Sequence, residues 1–230
     1  MITYKQHVWL KFLLHLSHYI DSHVSNGMNN GGHSKRVALL VRNTARRLNR
    51  SDSEIEAFYW AALLHDIGKV GVPLSVLSKA GPLTNQEWAV MKLHPTVGTN
   101  IIQSLNGMLK VIAPIILSHQ EKYDGTGYPY GLKGEEIPFG GRILAVVDAY
   151  DAMTNDRAYR NARTIEEAIQ ELRLMSGKHF DPRVVRAFLK ALQDSENESE
   201  HPYFHFRSNG HSRNNGNGNH SGFKQRKRNA

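Results

Sequence analysis

Apolar residues recur at three- and four-residue intervals along most of this 230-residue chain, the period of an α-helix that buries one face. The first helix is expected over 5–24. Three Gly and three Asn within 25–32 break it. A second helix fits 32–49, with Val37, Leu40, Val41 and Leu48 on its apolar side. Ser51 or Ser53 can cap a third, which carries Ile55, Phe58, Tyr59, Ala62 and Leu63 and ends near Gly68. Pro73 and Pro82 punctuate a short connection. Thr84-Asn-Gln-Glu87 is a capping box for a helix running towards His94, and Pro95 suits the first turn of the next. One helix is expected over 108–120. A loop follows, holding Gly125, Gly127, Pro129, Gly131, Gly134 and Pro138. Helices again fit 140–155, 164–175 and 182–192, the last started by Asp181-Pro182. No stretch alternates convincingly and no repeat is visible, so the fold class is all-α. The domain reading is an N-terminal helix over 1–25, a helical body over 26–193 and a polar, disordered tail over 194–230.

Composition narrows the chemistry. Hydrophobic residues make up 40% of the chain, enough to bury a core, which excludes global disorder. There is no cysteine, so disulfides, thiolate nucleophiles and zinc ribbons are excluded. A metal site would have to use the 13 histidines together with carboxylates. The formal charge is +8. The segment 194–230 has six Lys and Arg against four acids, so most of the excess lies in the body. The basic end Lys224-Gln-Arg-Lys-Arg228 could touch nucleic acid or anionic lipid. A solvated end is the preferred reading, and nucleic acid is not an expected partner. The apolar run from Val8 to Ile20 is short and interrupted by Lys11, His15 and His18. It fits neither a membrane span nor a signal peptide, and a cytoplasmic location is the expectation. Its apolar face (Val8, Leu10, Phe12, Leu13, Leu16, Ile20) could mediate a homodimer, though packing on its own domain is favoured.

The chemistry centres on His65-Asp66, an adjacent pair at the end of an apolar helix. A buried carboxylate needs positive charge beside it, and a metal ion supplies it. Taken alone, the pair is a weak signal. His33, His94, His119 and Asp148 strengthen it, each at or near an expected helix. Six such ligands can hold two divalent ions with one Asp bridging. The residual positive charge would attract a phosphate, which a hydroxide between the ions would attack. His/carboxylate ligation fits iron or manganese best. Lys69 follows Asp66 by three residues, so both can face one cavity.

The local strings then resemble a known family. His65-Asp-Ile-Gly-Lys-Val-Gly-Val-Pro73 and His119-Gln-Glu-Lys-Tyr-Asp-Gly-Thr-Gly-Tyr-Pro129 are similar to signatures of the HD-GYP subfamily of HD-domain metal-dependent phosphohydrolases. Gly134-Glu-Glu-Ile-Pro138, the run from Arg142 to Thr154, Asp156-Arg-Ala-Tyr-Arg160 and Gly177-Lys-His-Phe-Asp-Pro182 continue the match over about 30–192. The resemblance implies an HD-domain helical bundle with a Gly/Pro-rich loop. It implies hydrolysis of cyclic di-GMP to pGpG, in some members onward to GMP. It gives metal-ligand roles to His33, His65, Asp66, His94, His119 and Asp148. It places Lys69 beside the scissile phosphate, as a catalytic residue with Asp66, and Arg157 and Arg160 on ligand phosphates. Members with three metals carry Glu where this chain has Asn29, and a second His where it has Gln120. Two metals are therefore expected.

In the loop, Gly125 and Gly127 would supply positive φ, and Gly125, with Tyr128 or Tyr130, could contact the nucleotide. Glu121 could orient a ligand or serve as a helix-end charge. Asp124 reads as a turn-former at least as well as a second-layer acceptor, and Asp151 as a hydrogen-bond partner of a metal ligand. Alternatives to cyclic di-GMP are another cyclic dinucleotide, or a weakly active module that works through a regulatory protein partner.

Overall fold

The computed structural model describes residues 4–24, 32–104, 108–156 and 161–197. Among them the secondary structure is helical throughout, apart from one isolated bridge between Ser176 and Phe180. The helices are α1 (Tyr4–Val24), α2 (His33–Arg47), α3 (Asp52–Leu64), α4 (Leu74–Leu77), α5 (Asn85–Met91), α6 (His94–Ser104), α7 (Ala113–Ser118), α8 (Phe139–Thr154), α9 (Ile165–Leu174) and α10 (Pro182–Asn197). Short 3-10 turns cover Ile67–Gly71, Met108–Ile112 and Gly134–Glu136.

Local chemistry accounts for most of the boundaries. Ser51 and Glu54 form one capping box, Thr84 and Glu87 a second, and Thr164 and Glu167 a third. Each satisfies two of the N–H groups left open at a helix start. Two expectations need correction. The single helix over 108–120 is a 3-10 turn followed by α7, because Pro114 occupies the first turn of α7 and cannot donate into a preceding helix. The last helix reaches Asn197, so it crosses the proposed 193/194 boundary. The rest of the tail lies outside the described residues.

The core joins one face each of α2, α3, α7, α8 and α10. Val37, Val41, Ala61, Leu64, Ile116, Ile143, Val147 and Phe188 are all fully or almost fully buried. Burial of this apolar surface is the main favourable term, at roughly 25 cal/mol per Å². Helix α1 lies against this body. Leu13 and Ile20 are buried, while Val8 and Phe12 from the same expected face are exposed. The Ser17 hydroxyl donates to the Leu63 carbonyl. Asp21, also buried, accepts from the Ser34 backbone N–H and hydroxyl, and so caps the start of α2 from a neighbouring helix. No helix among the described residues is long and apolar enough to cross a membrane.

Candidate metal centre

Four imidazoles and two carboxylates from distant parts of the chain meet at one end of this core. His65 is the C-cap of α3 and His119 the C-cap of α7, while His94 lies three residues beyond the end of α5. Helix C-termini leave carbonyls without partners, and each of these histidines uses one. The Nδ1 of His65 lies 2.8 Å from the Ala62 carbonyl, that of His94 2.8 Å from Met91, and that of His119 2.6 Å from Ile116. Donation from Nδ1 fixes the tautomer, leaving each Nε2 as a bare lone pair. These lone pairs turn inwards. The rings of His33 and His65 lie 5.3 Å apart between centroids, those of His65 and His119 5.1 Å, and those of His119 and His94 5.1 Å.

This arrangement is unfavourable without a cation. The Nε2 atoms of His94 and His119 face each other at 3.2 Å, and with both Nδ1 protons given to carbonyls neither has a proton to offer. The buried Nε2 of His65 has no hydrogen-bond partner. Its nearest carboxylate oxygens are Asp66 Oδ2 at 3.5 Å and Asp148 Oδ1 at 3.9 Å. Such orphaned lone pairs in a buried site are costly, and a Lewis acid resolves all of them together. Donor atoms of His33, His65 and Asp66 form one compact group, and those of Asp66, His94 and His119 another. Asp66 belongs to both. The donor set therefore fits divalent metal held by imidazole and carboxylate.

The electrostatics agree. Burial and then neighbouring imidazoles push His119 down to about 3; burial takes His94 to about 4, although the Asp66 charge opposes this. Both are neutral at neutral pH, the form that ligates metal. Asp66 and Asp148 are held well below the usual carboxylate range: the surrounding cationic and imidazole groups, with a hydrogen bond from His33 to Asp148, overcome their burial. His33 differs. Burial lowers its pKa, but hydrogen bonds to Asp148 and Asp151 outweigh this and raise it to about 10.

Lys69 sits in the 3-10 turn after the His-Asp pair, and its ammonium donates to Asp66 Oδ2. Gly68 sets this turn against α6, because any Cβ there would strike the His94 carbonyl and the Gly98 nitrogen. That close approach brings Asp66 within 3.5 Å of His94 Nε2.

The glycine-rich loop is organised by Glu121, whose part in the sequence was ambiguous. Its buried carboxylate accepts N–H groups from Tyr130, Gly131 and Leu132, at 2.7, 3.1 and 3.1 Å. Asp124 accepts from the backbone and hydroxyl of Thr126, as a turn-former does. Gly125 has φ of 87°, as expected. Gly127 is not among the positive-φ residues, and the expectation for it is corrected: it lacks a side chain because a Cβ would meet the backbone of Glu121 and Lys122. Tyr128 stands beside the metal centre, its ring 6.4 Å from that of His94. Lys92 lies over its face at 5.7 Å, a contact not anticipated from the sequence. Burial and the Asp66 and Asp148 charges raise the Tyr128 pKa, so its hydroxyl stays protonated. Gly125 is farther out, packed near Gly131 and Lys133, and Tyr130 is exposed. Arg157 and Arg160, like Asn29, lie outside the described residues. Gln120 is described, and its backbone carbonyl accepts from Tyr128.

A helical body whose adjacent His and Asp converge with distant histidines defines the HD-domain class. The chain belongs to the HD domain family, whose model matches residues 18–184, and is of the HD-GYP type. It is 43% identical over 182 residues to a cyclic di-GMP phosphodiesterase of Thermotoga maritima, covering 79% of this chain and 48% of that protein. It is 40% identical over 161 residues to 3'3'-cGAMP-specific phosphodiesterase 2 of Vibrio cholerae, covering 70% of this chain and 31% of that protein. The chain thus spans about half or less of the length of these relatives. Among solved structures, the V. cholerae cyclic GMP-AMP specific phosphodiesterase V-cGAP3 matches at a TM-score of 0.63 and 20% identity, over 85% of this chain and 52% of that one. This last likeness concerns the fold.

Proposed function

We propose that this chain hydrolyses a phosphodiester bond of a cyclic dinucleotide, with cyclic di-GMP as substrate and pGpG as product. The observation that carries this reading is the inward set of Nε2 lone pairs around the shared carboxylate of Asp66, with Lys69 beside it. The curated relatives named as cyclic di-GMP phosphodiesterases support the substrate. Two metal ions per chain, iron or manganese, would be held by His33, His65, Asp66 and Asp148 on one side and by Asp66, His94 and His119 on the other. When bound, they supply Lewis-acid charge for a phosphoryl centre and a water nucleophile active at neutral pH.

The remaining work falls to the chain's own groups. His65, His94 and His119 are held in the ligating tautomer by their carbonyls. Lys69 would contact a non-bridging phosphate oxygen or give a proton to the departing 3′ oxygen. Overall, the oxygen of one water ends on phosphorus, the P–O3′ bond breaks, and one proton ends on O3′. Tyr128 and Lys92 form a wall against which a base can stack. Arg157 and Arg160, from the sequence resemblance, would hold phosphates. The reaction would take place in the cytoplasm. A regulatory protein partner belongs to the same reading, whereas the apolar face of α1 that could serve a homodimer packs through Leu13 and Ile20 on its own domain.

A second substrate has specific support, since another relative of comparable identity is named for 3'3'-cGAMP. The test is turnover under anaerobic conditions by protein loaded with Fe(II) or Mn(II). Cyclic di-GMP, 3'3'-cGAMP and cyclic di-AMP are supplied separately and the products resolved by chromatography. Cleavage of cyclic di-GMP to pGpG, abolished in Asp66→Ala, is expected. A fully metallated protein that leaves all three intact would overturn the proposal, and preference for 3'3'-cGAMP would replace the substrate.

A further inference from the structure

The four histidines are not supported in the same way. Three give Nδ1 to a carbonyl three residues back, in the last turn of α3, α5 or α7, and His94 does so although it is also the first residue of α6. His33 opens α2 instead. A helix N-terminus exposes N–H groups rather than carbonyls, and His33, unlike His94, takes its Nδ1 acceptor from another helix. It finds Asp151, 118 residues away on α8, at 2.7 Å.

That solution creates a problem of its own, because the Asp151 side chain is only 1% exposed. A buried carboxylate with a single imidazole partner would be poorly satisfied. Arg36 resolves it. Its Nε donates to Asp151 Oδ1 at 2.7 Å and its Nη2 to Oδ2 at 2.9 Å, a two-pronged contact that only a guanidinium makes. Arg36 lies three residues after His33 on α2, and Asp151 three after Asp148 on α8. The ligand and its support therefore face each other as two i,i+3 pairs. The same imidazole reaches Asp148 through Nε2 at 3.2 Å.

We infer that Arg36, acting through Asp151, is the positioning residue for the His33 side of the metal centre and has no part in the His94/His119 side. The two metal subsites are then unequal: one is backed by neutral carbonyls alone, while in the other His65 rests on a carbonyl and His33 on an ion pair between two helices. This rests on the two-metal reading above.

The experiment is calorimetric titration of chelator-stripped protein with Mn(II), with circular dichroism and thermal melting to follow folding. Wild type, Arg36→Gln, His33→Ala and the double variant are compared. The wild type should take up two ions. Arg36→Gln should weaken one of them roughly 10- to 100-fold, the usual effect of losing an outer-layer partner, and leave the other unchanged. In the His33→Ala background, Arg36→Gln should change nothing further. Equal weakening of both ions, or wild-type affinity for both in Arg36→Gln, overturns the inference while the metal reading stands. A wild type that binds no Mn(II) removes both. Should Arg36→Gln fail to fold, Asp151→Asn is read by the same criteria.

Discussion

At the scale of single residues, the distance between partners decided what the sequence revealed. His65 and Asp66 are adjacent, and Lys69 follows within a turn, so their association is written locally. Glu121 was ambiguous because its partners are backbone N–H groups of residues 130–132, which carry no mark in the sequence. Arg36 escaped notice because its carboxylate lies 115 residues away. Its i,i+3 spacing from His33 is the signal that could have drawn attention to it. The structure gives Glu121 a clear weight. In Glu121→Ala, three N–H groups lose a charged acceptor, and unmet groups of this kind cost about 1–3 kcal/mol each. Partial rescue by water leaves an expected loss of roughly 2–4 kcal/mol, measured by chemical denaturation. A loss below about 0.5 kcal/mol, the range of ordinary surface changes, would remove the organising role.

At the scale of elements, capping chemistry was the most legible feature. The Ser51 and Thr84 boxes and the Asp181-Pro182 start all mark helix beginnings in the structure. Periodicity failed where proline intervened, at α7, and where apolar residues had more than one fate, as on α1. The turn between α3 and α4 was read as a helix end and a connection, and in the structure it is a 3-10 turn seated on α6 through Gly68 and Gly98. Gly68→Ala tests that seat. The new methyl meets backbone, which cannot rotate aside, and overpacking of this kind costs roughly 1–3 kcal/mol or more. The variant should melt at a lower temperature and bind Mn(II) more weakly, since Asp66 and Lys69 move with the turn. Wild-type melting and metal affinity together would show that the turn can shift freely.

At the scale of the whole molecule, the site is assembled from α2, α3, α6, α7 and α8, and no single segment holds a complete ligand set. Residue type and position near helix ends suggested grouping these six residues from sequence, and the family strings tied them together; spacing alone could not bring His33 to Asp148. Metal and fold should therefore be linked. An ion that binds only the folded chain adds about 2.7 kcal/mol at a hundredfold excess over its dissociation constant. For a protein of this size that corresponds to a rise of about 5–10 °C in Tm. Calorimetry with Mn(II) and with a chelator checks this, and coincident transitions would show that the ligands do not need the fold to meet.

The carbonyls that hold the three histidines have one more consequence. The C-terminal ends of α3, α5 and α7 all approach the cluster, and a helix C-terminus carries a partial negative charge, at most about half an elementary charge. Together with Asp66 and Asp148 they bias the cavity towards cations, against the opposing charges of Lys69 and His33. A bound metal ion would shift that balance in favour of a phosphodiester. The backbone that holds the three imidazoles thus also favours the ion they would bind.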